Sequence, residues 1–579
     1  MNPVRLLQTS TALLLWTIVG SYVHAESWTP RLLNAIQNQT LNELVQPLSE
    51  DLRRAIQDEQ ASDETVIELS AAYRFAVFFS RTPLSDDLDK ACLSWLVQQP
   101  RLMQTLCLAL GSTERPDAVL SVFRALYRTD RETMPDWADL VTALIVVWDE
   151  PRRESSDDPA ARGDWAVQLY AYYTRNNRRL RYDLRSMPWN LQIYVVDLVI
   201  SREEMIWAWD RYGQRGDVGG FYFDVPYDTA AFYQGEDKKI DALAYTLDNL
   251  QKHGGICTDQ AYYATQIGRL IGVPTVTIIG QGGAGQVAHA WVGYLARQGK
   301  KVVWDLTSGR YPEQMYWTGQ VENPQTRQNI SEAETSLLGE LQNTTRDQRL
   351  QALALMRALD LFEPARQVDV LLRSLNLCPA DREAWLKLGE LGSAGVLTDQ
   401  QTSQVMETVR QFAARPYADL AYEVYRRIIS GKSNLQQINL LDQLAKVFGQ
   451  RPDLVARIRI EQGKNYKSLK QIDRALSSWG EVLTRHLYAG PIVLEALELT
   501  DQTLRERGQG RELLAVYERV FNNIPKPTPS AFAAFTPFCQ IGVKYADLLD
   551  EAGNRSEAQK VRQQVGVFDK SIQITMPAR

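Results

Sequence analysis

Three side chains stand where a nucleophilic hydrolysis could be assembled: Cys257, His289 and Asp305. A thiol attacks a carbonyl as its thiolate, an imidazole takes the thiol proton, and a carboxylate fixes the imidazole tautomer. Each of the three falls at the end of an expected element. From Cys257 an apolar stripe of Ala261, Ala264, Ile267, Leu270 and Ile271 runs at helical spacing. Gly254 and Gly255 break the helix before it, Gly272 stands at a C-cap position, and Pro274 forbids continuation. Cys257 therefore opens a helix, where unpaired N–H groups and the macrodipole are expected to lower its pKa. Thr275–Ile279, His289–Leu295 and Lys301–Leu306 read as strands.

Side chains alternate along a strand, so His289 and Asp305 meet only in one parity of pairing. The expected register puts Leu295 opposite Lys301 and Trp291 opposite Asp305, across a five-residue loop Ala296–Lys300. A slip of one residue turns Asp305 to the other face.

Gly255-Ile-Cys257-Thr-Asp-Gln-Ala261, Gly272-Val-Pro274, His289-Ala-Trp291 and Trp304-Asp305-Leu-Thr307 follow one another in that order. Together these blocks resemble the transglutaminase-like core of the papain-type cysteine enzymes, over roughly 80–110 residues, about one domain. The resemblance implies a helix packed on an antiparallel sheet, with Cys257 as nucleophile, His289 as general base and acid, and Asp305 as the residue that orients the ring. The family's upstream oxyanion-hole side chain has no obvious counterpart between Phe221 and Glu236. There Phe221, Tyr222, Phe223, Tyr227, Phe232 and Tyr233 offer candidates without a choice.

Blander readings compete. A lone helical Cys is most often a small buried hydrophobe. The stretch Gln281-Gly-Gly-Ala-Gly-Gln286 lacks a following Lys-Ser/Thr and precedes a strand, so it reads as a connection and not a phosphate cradle. His253, Cys257 and His289 do not have tetrahedral zinc spacing. No cofactor or metal is expected.

The elements around the core are helical. Met1–Ala25 reads as a signal peptide: Arg5, an apolar stretch from Ala12 to Val19, and a Val23-His-Ala25 cleavage site. An exported chain, periplasmic or extracellular, with no membrane span after cleavage is the expectation. Residues 26–205 read as an N-terminal helical domain, from amphipathic stretches such as 41–57, 64–80 and 116–127. Residues 206–325 hold the transglutaminase-like core, including an expected helix over Lys238–His253. Residues 335–579 read as a tetratricopeptide-like α-solenoid, from the Leu375–Gly389 and Tyr545–Ala558 patterns and a third at Arg474–Trp479. The fold class expected is α+β, predominantly helical and multidomain.

Apolar residues make up 45% and charged residues 23%, with a net charge of −6, so a folded chain without nucleic acid as partner is expected. The five cysteines, Cys92, Cys107, Cys257, Cys378 and Cys539, are scattered and form no disulfide framework. Two functions follow. One is a cysteine hydrolase or acyltransferase acting on protein or peptide amides. The other is a non-catalytic scaffold whose helical repeats bind a protein partner.

Overall fold

Three-and-four apolar spacing becomes helix where the stripes predict it: Leu41–Gln57, Asp63–Phe79, Asp87–Val97 and Pro116–Asp130. The computed structural model describes residues 28–58, 60–84, 86–151, 159–280, 287–299, 301–310, 319–413, 417–530 and 532–569. The expected signal peptide and the glycine-rich connection 281–286 lie outside them. Among the described residues helices dominate and the strands form one five-stranded antiparallel sheet, so the protein is α+β.

The chain divides into two compact units. The first takes the residues up to Tyr172, Arg185–Trp189 and Glu340–Trp385. Its helix Ala138–Trp148 is buried along nearly its whole length, and Asp63–Phe79 buries Phe75, Phe78 and Phe79. A division at Gly339/Glu340 falls near the boundary expected at residue 335, but Glu340–Trp385 groups with the N-terminal helices. Helix Arg346–Arg357 buries Leu350, Ala354 and Leu355 in this unit. Ser70 Oγ donates to the Ala354 carbonyl at 3.2 Å and the Arg373 guanidinium donates to the Ile56 carbonyl at 2.9 Å.

The second unit takes Tyr173–Leu184, Asn190–Gly339 and the chain from Leu386. Its sheet has the order β3-β2-β1-β4-β5, with β1 Thr275–Gly280, β2 His289–Gln298, β3 Lys301–Ser308, β4 Gly319–Glu322 and β5 Asn329–Ser331. The last two strands carry no sequence pattern long enough to be read. Helix Cys257–Leu270 packs on β1 and β2. From Pro452–Ser468 to Arg555–Phe568, successive helices share a core that includes Trp479, Tyr517, Phe521 and Phe538. The helix expected over Lys238–His253 is broken. A 3-10 turn spans Lys239–Ala242 and a helix begins at Leu247, capped by the Thr246 side chain. Lys238 and Tyr245 both reach Asp259, and that tether holds the intervening backbone out of helix.

Candidate active site

The helix that carries Cys257 is fixed at its first turn. Gly254 has φ +84°, and a Cβ there would meet the Pro226 carbonyl at 2.5 Å. Gly255 pairs with Tyr227 and exchanges hydrogen bonds with Pro226 and Asp228. The Asp259 carboxylate accepts the Ile256 N–H at 2.8 Å, closing the helix N-terminus. It also takes Lys238 at 3.1 Å and the Tyr245 hydroxyl at 2.9 Å.

Cys257 is 6% exposed. Nearby backbone N–H groups of Ala290 and Thr258 favour the thiolate, but burial outweighs them and pushes the thiol above its ordinary range. The expected lowering by the helix N-terminus is thus corrected, because desolvation is the larger effect.

Cys257 opens a helix that packs on the strand His289 opens. The His289 Nε2 lies 2.6 Å from the Gly309 carbonyl. A carbonyl only accepts, so Nε2 carries the proton and Nδ1 is the basic nitrogen of the neutral ring. Burial lowers the His289 pKa, and the Gly309 bond offsets part of that. Trp291 stacks near the ring, with centroids 6.0 Å apart, and its indole donates to the Leu306 carbonyl at 3.0 Å. Gly309 is itself specified. Its φ is +83°, and a Cβ would lie 2.8 Å from the Tyr222 ring, whose hydroxyl donates to the Ala290 carbonyl at 3.0 Å. Among the hydrogen bonds between described residues, none joins the thiol to the His289 ring.

Asp305 is not brought to His289. Gln298 faces Lys301 and Tyr294 faces Asp305, so only two residues separate the strands and the pairing has the opposite parity to the one expected. A bulge then shifts the register between Tyr294 and Val292, which faces Ser308. It comes one step too late for Asp305. The carboxylate instead accepts from the Tyr294 hydroxyl at 3.2 Å and from the Thr307 N–H and hydroxyl at 2.9 and 2.7 Å. What the bulge does deliver is Gly309, a carbonyl that no side-chain pattern announces.

Of the aromatic cluster, Phe221 is buried, the Tyr222 hydroxyl is committed to Ala290, and Phe223 and Tyr233 are exposed. Tyr227 lies beside Gly255 through backbone pairing. All five cysteines are free and buried. Among the described residues no group of three or more His, Cys, Asp or Glu could hold a metal ion, and no helix is long and apolar enough to cross a membrane. No protein-family model matches the chain, and no curated protein matches it in sequence.

Proposed function

We propose that the second unit carries a transglutaminase-like cysteine hydrolase or acyltransferase, acting on protein or peptide amides through Cys257 and His289. The observation that supports this reading is the packing of the helix that Cys257 opens on the strand that His289 opens, with the His289 Nε2 held by Gly309. His289 Nδ1 takes the thiol proton as sulfur attacks the amide carbon. The tetrahedral oxyanion collapses, the C–N bond breaks, and the imidazolium returns the proton to the leaving amine. Water then attacks the thioester and gives its proton to His289, releasing the acid and restoring the thiol. An amine in place of water gives transfer. Catalytic hydrogen bonds that are long in a free enzyme tighten around substrate, so a thiol not yet bonded to the ring is compatible with this scheme. Export after removal of Met1–Ala25, and a solenoid role for the C-terminal helices, belong to the same proposal.

The second reading, a scaffold that binds protein partners through its helices, is favoured by Asp305 being turned to Tyr294. The two separate on one measurement. Iodoacetamide labelling of Cys257 near neutral pH that is several-fold slower in His289→Ala than in the unaltered chain supports the enzyme. Labelling indifferent to His289 supports the scaffold.

A further inference from the structure

The first unit contains a cavity of about 330 Å³ lined by four arginines, Arg101, Arg185, Arg346 and Arg349, with Asp139 as the one acidic side chain among its walls. Two of the guanidiniums are anchored by part of their hydrogen-bonding capacity. Arg346 Nη2 donates to the Arg101 carbonyl at 3.1 Å and the Thr105 hydroxyl at 3.2 Å. Arg349 Nη1 donates to the Leu341 and Thr344 carbonyls at 3.1 and 2.6 Å. Arg346 Nε remains buried with no partner. A guanidinium has five N–H donors, so each anchored fork retains donors beyond those bonds.

The charge is not balanced locally. The Asp139 carboxylate already accepts the Trp189 N–H at 3.0 Å, and it faces Arg101, Arg346 and Arg349 together. The other nearby acids sit outside: Asp136 opposes Arg185 at 3.5 Å and Asp347 opposes Arg346 at 3.8 Å, and both carboxylates are solvent-exposed. Such surface pairs neutralise little. The Arg101 side chain makes no hydrogen bond or ion pair among the described residues. Like charges converging on a polar cavity repel unless an anion joins them, and planar forks suit carboxylate and phosphate oxygens bidentately.

We propose that this cavity binds a small oxyanion ligand carrying two or more negative charges, a phosphate ester or a polycarboxylate, held by Arg101 and Arg185 at the mouth and Arg346 and Arg349 behind. The volume admits a small organic molecule and not a macromolecular chain. The site lies apart from Cys257 and does not depend on the function proposed for it.

Calorimetric titration of the full chain at fixed ionic strength tests this, with inorganic pyrophosphate in one arm, citrate in a second and acetate as the monovalent control. Expected is saturable one-to-one binding of pyrophosphate or citrate, weakened tenfold or more by Arg101→Gln and by Arg185→Gln. Both side chains are exposed, and neither substitution removes the bonds that anchor Arg346 and Arg349, so the fold is retained. Pyrophosphate alone identifies a phosphate site, citrate alone a carboxylate site, and both a general oxyanion site. Saturable binding in neither arm, binding unchanged in both variants, or acetate binding as tightly as the multivalent probes overturns the proposal.

Discussion

Burial acts on Cys257 and His289 in the same sense: it keeps the thiol protonated and the imidazole bare. In the hydrolase proposed above, the resting pair would therefore carry one proton, on sulfur. Its pH window is set by His289 losing a proton below its ordinary 6.5 and Cys257 losing one above its ordinary 9.0. Amide hydrolysis should rise through an acid limb below pH 6.5 and stay level to about pH 9; a rate that climbs steeply between those values would mean a different titrating group. Cys257→Ala should abolish turnover, and His289→Ala should lower it by about 10²–10⁴-fold. Asp305→Asn should change kcat less than about tenfold, against the ~10⁴ loss seen where a carboxylate sets the tautomer; a loss of that larger size would show that Asp305 reaches the ring during turnover. That Cys257 opens a helix and His289 opens a strand was legible because the residues around each mark an element end. The ring's partner was not, because a backbone carbonyl leaves no trace in side-chain identity.

The β2–β3 hairpin shows how one local choice decides a site. Gly299, at φ +64°, serves a two-residue connection as readily as the five-residue loop the spacing suggested, and the two give opposite parity. The strands themselves were plain from their β-branched and aromatic runs. Their pairing was not, because Val302, Val303, Trp304 and Leu306 offer apolar side chains in both parities. Helix Cys257–Leu270 was the most legible element, since glycines before it, an apolar stripe within it and Gly272-Val-Pro274 after it all agree. Its start depends on Asp259, which is 2% exposed and ties Ile256, Lys238 and Tyr245 together. Asp259→Ala should cost on the order of 3 kcal/mol, because it strands a partly buried ammonium as well as removing the cap. Urea unfolding monitored by tryptophan fluorescence measures this; a loss below about 0.5 kcal/mol would show that the cap is dispensable.

At the scale of the whole chain, helical class was readable from periodicity, but the grouping of helices was not. An amphipathic stripe announces that a face will be buried and says nothing about which distant segment buries it. Helix Arg346–Arg357 is the instance: it continues the helical pattern that follows it, yet completes the unit begun by the N-terminal helices. A chain ending at residue 339 should therefore lose the first unit's cooperative melt and bind hydrophobic dyes, whereas one ending at 389 should keep that transition. Equal melting of the two would break the grouping. The same interleaving sets a schedule for synthesis. Roughly 200 residues separate Tyr172 from Trp385, and at ~5–20 residues per second a ribosome needs about 10–40 s to deliver the closing segment. Through that interval the first-made helices wait with apolar faces uncovered, a longer exposure than a unit made from one contiguous segment would have.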